Sequence, residues 1–320
     1  MVGFSTGGNN VSTQFGMPLF QGGTGLPPFT GNYFWVDGTN GSDGNTGGPQ
    51  DPFKTLSQAQ TACLAGNNDV VFFTGTYSPT ATFVWSKNNT HLVGLSLSPY
   101  GAPLISVASV AATTGAFSPL VNVTATGCIF QNISVLSGIA QAAAQVCWAE
   151  AGGSNTYIGC NFNQVGAIQA GAHAGNRALT LASKNNYFQN CIIGGDALVR
   201  ATGTNYTAEV LAGSGSSIFR GCTFAMWCSV AASAQINAAT TTCTGYMMFD
   251  DCLFINDMGN AGATASTLPL TISSTAGAVF LLTGTSAALG IAGKVATTGQ
   301  LVYITAAPSA TLGNVASTTT

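Results

Sequence analysis

The chain holds seven Lys or Arg and ten Asp or Glu among 320 residues, so the side chains able to move protons or hold a metal can be taken one by one. Asp196 and Asp257 each lie five residues after a cysteine of the repeat described below. With one coil between them they would stand about 10 Å apart, two strand spacings. Acids at that separation suit inverting hydrolysis of a glycosidic bond, one protonating the leaving oxygen and the other activating water. Asp250 and Asp251 are consecutive, which on a strand sends them to opposite faces. Glu150, Arg177, Lys184, Arg200 and Glu209 fall at unrelated offsets and are expected as solvated charges. His91 and His173 have no Ser or Cys at a spacing that suggests a triad. Asp37, Asn40, Asp43 and Asn45 loosely resemble a calcium loop, but the EF-hand spacing fails and Gly48 takes the place of the closing Glu; turn residues are expected. The cysteines lack the CxxC spacing of a zinc site. The expectation is a chain without catalytic residues, metal or cofactor, and not an enzyme.

The elements that would carry these groups announce themselves by repetition. Cys128, Cys160, Cys191, Cys222 and Cys252 follow at intervals of 32, 31, 31 and 30 residues, in the phrases GCIFQN, GCNFNQ, NCIIGG, GCTFAM and DCLFIN. Two residues after each stands Phe130, Phe162, Ile193, Phe224 or Phe254. A step of two stays on one face of a strand, read here as the interior. Tyr157, Phe188, Phe219 and Phe249 lie three residues before the last four cysteines, on the opposite face unless the chain bends. Gly127, Gly159, Asn190, Gly221 and Asp251, each directly before a cysteine, suit such a bend. The units show no amphipathic 3.6-residue period and are rich in Gly, Thr, Asn and β-branched residues, and a propeller blade needs about 40 residues. A parallel β-helix over residues 69–262 fits, with equivalent residues of neighbouring coils about 4.8 Å apart and forming ladders. Five cysteines in register cannot all pair, and a buried free Cys behaves as a small hydrophobe, so the ladder is structural. Arg220 and Asp250 both lie two residues before a ladder cysteine on adjacent coils and should form a cross-coil ion pair.

Charged residues make up 5% of the chain against about 25% in an ordinary soluble domain. Buried interfaces are depleted in charge, which points to life inside a permanent assembly; a charge-poor extracellular β protein is the alternative. A net charge of −3 without a basic cluster offers nothing to nucleic acid. The N-terminus lacks the basic and apolar regions of a secretory signal. The uncharged stretch Ala276 to Gly293 is interrupted by Thr283, Gly284, Thr285, Ser286 and Gly290 and reads as two short strands and a turn rather than a membrane span.

The ends differ from the coils. Residues 33–68 read as an entry strand, a polar loop and a capping helix, with Asp51 as N-cap, Pro52 at the first helical position, and Phe53, Leu56, Ala59, Cys63 and Leu64 as its apolar stripe. Residues 1–32 carry no charge and isolated large side chains, Phe4, Phe15, Met17, Phe20 and Phe29. Such an arm could anchor in grooves of a partner or fold back on its own β-helix. Residues 263–320 shift to Ala, Thr, Ser and Gly and suggest a small β cap or oligomerisation region.

The run Val36-Asp37-Gly38 with Gly41-Ser42-Asp43-Gly44, then Pro52-Phe53-Lys54-Thr55-Leu56, Asp69-Val70-Val71-Phe72 and Gly75-Thr76-Tyr77 resembles the opening of pectin-lyase-like right-handed parallel β-helix proteins, especially those of bacteriophage virions. The resemblance implies an all-β, right-handed solenoid and a homotrimer. It implies a virion protein on the capsid surface, a decoration or cement protein binding the major capsid protein or other virion subunits, with a host glycan as a possible further ligand. The same superfamily includes polysaccharide lyases, glycosidases and tailspikes, so the alternative is a carbohydrate-binding or carbohydrate-cleaving β-helix.

Overall fold

The computed structural model describes residues 4–6, 9–14, 17–20, 31–95, 102–107, 118–138, 146–163, 175–200, 206–211, 214–238, 244–259, 262–265, 270–272, 277–290 and 301–303. Among these, parallel strands build three sheets of ten, eight and seven strands. The long sheet runs from Tyr33–Asp37 and Asp69–Thr74 through Ile129–Gln131, Thr156–Ile158, Tyr187–Gln189 and Ser217–Arg220 to Gly277–Thr283 and Leu301–Tyr303. From each coil of it the chain passes to the eight-stranded sheet (Ser134–Ser137, Asn161–Asn163, Ile192–Arg200, Thr223–Cys228, Leu253–Asn256) and then to the seven-stranded sheet (Val121–Val123, Val146–Glu150, Arg177–Leu181, Tyr206–Val210, Ala234–Ala238) before returning. The protein is a parallel β-solenoid. No described helix is long and apolar enough to cross a membrane.

The interior is made by strand alternation. On the long sheet Phe130, Tyr157, Phe188, Phe219 and Phe249 point inward, with ring centroids 5.0, 4.5, 4.6 and 5.2 Å apart along the stack. Each buried ring contributes about 1.5–3 kcal/mol through lost water contact. Val135, Phe162, Ile193, Phe224 and Phe254 form the facing row from the eight-stranded sheet, all fully buried.

The register corrects one member of the expected cysteine ladder. Cys160, Cys191, Cys222 and Cys252 stack in adjacent coils, but the residue that precedes Cys160 in this row is Ile133, and Cys128 opposes Asn155 at the other corner of the long sheet. Phe130 accordingly belongs with Tyr157 and Phe188, not with Phe162. The two corners make the same local demand, a residue with positive φ followed by a small buried one. Gly127 (φ 70°) supplies it at one corner and Gly159 (φ 60°) and Gly221 (φ 60°) at the other, so the phrase GC-F appears at both corners. At the corner leading out of the long sheet, Asn132, Gly159, Asn190, Gly221 and Asp251 all take positive φ, and two residues separate the strands in each of these coils. The bend allows Tyr157 and Cys160 both to face inward. Between the eight- and seven-stranded sheets the connections vary from 5 to 13 residues.

The helix spans Leu56–Ala62 and its N-cap is Thr55, whose Oγ1 accepts from Gln58 N at 3.1 Å. Asp51 does not cap it. The Asp51 carboxylate accepts instead from Thr46 N and Thr46 Oγ1, tying the loop, while Asp43 takes the N–H groups of Lys54 and Thr55. Leu56, Ala59 and Cys63 cover the core, whereas Leu64 is 63% exposed and falls off the stripe.

Within the arm expected at residues 1–32, residues 4–6, 9–14 and 17–20 are described. Phe4–Thr6, Asn9–Gln14 and Met17–Phe20 form a separate antiparallel sheet in which Val11 pairs with Phe4 and with Phe20. Phe15 and Phe29 lie outside the described residues. Past residue 262 the strands Leu270–Ile272, Gly277–Thr283 and Ala287–Leu289 join the same three sheets as the coils before them, so the solenoid continues into the region expected to be a cap.

Candidate ligand face on the long sheet

Because Phe34, Val71, Phe73, Leu92 and Phe130 are directed to the core, alternation turns their strand neighbours to the outside of the long sheet. The register lines up one outward row as Trp35, Phe72, Val93, Gln131, Ile158, Gln189, Arg220, Asp250 and Thr283. At its first end three half-buried aromatic side chains meet. The Tyr33 and Phe72 rings are parallel within 3° at 6.0 Å, and Trp35 lies 5.2 Å from Phe72. Beyond Val93 comes Gln131, only 8% exposed, with its Oε1 lacking any hydrogen-bond partner. Beside it His91 accepts from Ile129 N through Nδ1 at 3.0 Å, and burial lowers its pKa to about 4; it is neutral at pH 7. At the far end Arg220 Nε stands 3.3 Å from Asp250 Oδ2, and Asp250 Oδ1 accepts from Thr283 Oγ1. The sequence signal for this row was alternation in YFWVD and DVVFFT, which separates Tyr33, Trp35 and Phe72 from the core residues beside them.

Among the described residues the other candidate groups do not converge on a site; His173 and the side chains of Arg200 and Glu209 lie outside them. The strand Ile192–Arg200 shifts register between Gly195 and Val199, so Val199, not Asp196, stands beside Trp227. The bulge removes Asp196 from the row it was expected to share with Asp257, whose carboxylate accepts from Gly259 N within its own turn. Asp37 takes the N–H groups of Thr39 and Asn40 and, with Asp43, serves the entry loop. Asp251 accepts from Thr285 N and Oγ1, which lowers its pKa. The Arg177 guanidinium lies 5.0 Å from the centre of the Tyr206 ring. No group of three His, Cys, Asp or Glu among the described residues is placed to hold a metal ion.

Glu150 is the largest departure from expectation. It is fully buried, not solvated, and its carboxylate accepts from Gly153 N (2.8 Å), Asn155 Nδ2 (3.1 Å), Ser183 Oγ (2.9 Å) and the Tyr157 hydroxyl. All four donors are neutral. Burial raises the Glu150 pKa, and the four hydrogen bonds oppose that rise. Asn155 also donates to Ala125 O and accepts from Cys128 N, while Asn186 accepts from Asn155 N. Glu150 thus anchors a polar ladder that ties three coils at the entry corner of the long sheet.

The eight described cysteines are buried and form no disulfide with one another. Each ladder thiol lies against a carbonyl of the preceding coil: Cys160 to Phe130 O at 3.3 Å, Cys191 to Tyr157 O at 3.5 Å, Cys222 to Phe188 O at 3.5 Å and Cys252 to Phe219 O at 3.4 Å. They are packing groups with weak hydrogen bonds.

No protein-family model matches the chain and no curated protein is similar to it in sequence. Its structure is similar to that of a pectate lyase (14% identity, TM-score 0.57, covering 86% of this chain and 68% of the other). It is also similar to a rhamnogalacturonan lyase (15%, 0.52, 81% and 68%) and to the pectin methylesterase from Aspergillus niger (16%, 0.50, 90% and 94%). At these identities the likeness is one of fold, the pectin-lyase-like parallel β-helix. It corrects the expectation that the chain is not an enzyme, for in these three proteins the same fold carries a lyase or an esterase.

Proposed function

We propose that the protein is a structural subunit of a phage virion, placed on the capsid surface as a homotrimer and bound there to the major capsid protein or other virion subunits. The observation that carries this reading is the 5% charge. An outer surface of Thr, Asn, Gln and apolar residues is poorly protected against association when isolated and suits a chain whose faces are covered by neighbours. A rigid solenoid with a separate β sheet at residues 4–20 is compatible with that role. The test is peptide mass spectrometry of purified particles followed by a map of the particle surface. Absence of the chain from particles, or its recovery as a free monomer, would sink the reading.

A second reading, a carbohydrate-binding or carbohydrate-cleaving β-helix, is favoured by the outward cluster of Tyr33, Trp35 and Phe72 and by the named activities of the three similar structures. Release of reducing or unsaturated ends from a glycan panel tests cleavage, and retention on immobilised glycans tests binding. The two readings are compatible on one particle surface.

A further inference from the structure

Resting on the carbohydrate reading, we infer that the outer face of the long sheet binds an extended, uncharged glycan, whose sugar faces stack on Trp35, Phe72 and Tyr33 and whose hydroxyls reach Gln131. Three aromatic rings gathered on the outside of a sheet, half-buried and with Tyr33 and Trp35 each beside Phe72, offer flat apolar surface with polarisable faces. The C–H faces of a pyranose match such a surface. Successive positions along the row follow the strand spacing of about 4.8 Å, close to the repeat of a sugar unit in an extended chain, so a linear glycan could run along the solenoid axis.

Gln131 supplies the second, independent sign. Its Oε1 is buried without a partner, and a buried acceptor left unsatisfied is costly and calls for a donor. A sugar hydroxyl arriving along the row provides one. Gln189, two strands further on, continues the run of amides.

The charge pattern selects the class of glycan. From Trp35 to Gln189 the row contains no cation, and the first one, Arg220, is paired with Asp250. His91, in the adjacent row, is neutral. A uronic acid polymer would bring one carboxylate per unit to a face with nothing to balance it, whereas a neutral hexose polymer brings only hydroxyls and C–H groups.

The experiment is calorimetric titration of the full chain with cellohexaose, mannohexaose, xylohexaose and hexagalacturonate, with Trp35→Ala and Gln131→Leu as variants. Trp227→Phe, on the eight-stranded sheet, is the control. The expected result is binding of at least one neutral hexasaccharide, weakened about tenfold by Trp35→Ala, the loss that one stacked ring implies, and unchanged by Trp227→Phe. Gln131→Leu removes no ring and should also weaken binding, which keeps the result readable if Trp35→Ala destabilises the fold. Binding of hexagalacturonate alone, or of a neutral sugar with no effect of either variant, would overturn this inference and leave the carbohydrate reading standing. If none of the four sugars binds, both fall.

Discussion

The Tyr157 hydroxyl donates a hydrogen bond to the Glu150 carboxylate inside the solenoid, at the corner where the seven-stranded sheet hands the chain to the long one. Tyr157 is also a member of the ring stack, between Phe130 and Phe188. One side chain therefore joins the apolar ladder to the polar one.

The first prediction concerns pH. Burial raises the Glu150 pKa above its ordinary value of 4.5, so the fold favours the protonated acid. The stability contributed by this group is complete below the unfolded pKa and is lost as pH rises through the folded value. Asp37 and Asp251 have lowered values and act oppositely, losing their contribution as pH falls toward the strongly acid range. Burial also holds His91 neutral, with a pKa lowered to about 4, which adds stability as pH rises toward its unfolded value. The thermal midpoint of the wild type relative to that of Glu150→Gln, rather than its own pH slope, should therefore fall as pH rises above 4.5. An unchanged slope in the variant would refute the assignment.

The second concerns the thiols. Burial pushes Cys63 and Cys147 up to about 12 and Cys128 up to about 11, and reactivity follows the thiolate. Because all eight described cysteines are buried, they should resist alkylation at pH 8 until the chain unfolds. Peptide mapping after a short iodoacetamide pulse reads this directly, and rapid labelling of Cys191 or Cys222 in the native protein would contradict the packing.

The third concerns the corners. Gly159 has φ 60°, and a Cβ there would lie 2.7 Å from Asn132 Oδ1. Gly159→Ala should destabilise by about 1–2 kcal/mol from backbone strain alone, with the contact adding to it. Asn190→Gly, at the equivalent position one coil on, relieves its own positive φ (52°) and should cost far less. Urea unfolding of the two variants compares them.

The fourth concerns the ion pair. Arg220 and Asp250 are 59% and 20% exposed, so a double-mutant cycle should give a coupling of about 0.2–1 kcal/mol, falling as salt screens it. A coupling that persists undiminished in 1 M salt would place the pair in a drier environment than the one seen.

Much of this fold could be read from residue order, because solenoid coils repeat their chemistry: the spacing of Cys160, Cys191, Cys222 and Cys252 and the offset of two to Phe162, Ile193, Phe224 and Phe254 carry the register. Cys128 misled because both corners of the long sheet require a positive-φ residue before a small buried one, and local phrases do not tell the corners apart. Glu150 was misread because a lone charge at an unrelated offset reads as solvated, although three of its donors, Gly153, Asn155 and Tyr157, follow within seven residues and only Ser183 comes from another coil. The bulge that displaces Asp196 is a property of strand pairing. Trp35 and Phe72 were within reach of alternation alone, once strands rather than single motifs were considered.

The two-residue corner after the long sheet recurs in the five successive coils from Asn132 to Cys252, while the passage from the eight- to the seven-stranded sheet ranges from 5 to 13 residues. Length can therefore be added or removed at one edge of the cylinder without disturbing register elsewhere. That edge is where foreign peptides could be grafted, and where related chains should diverge first, leaving the corner of Gly159 and Gly221 as the fixed spine.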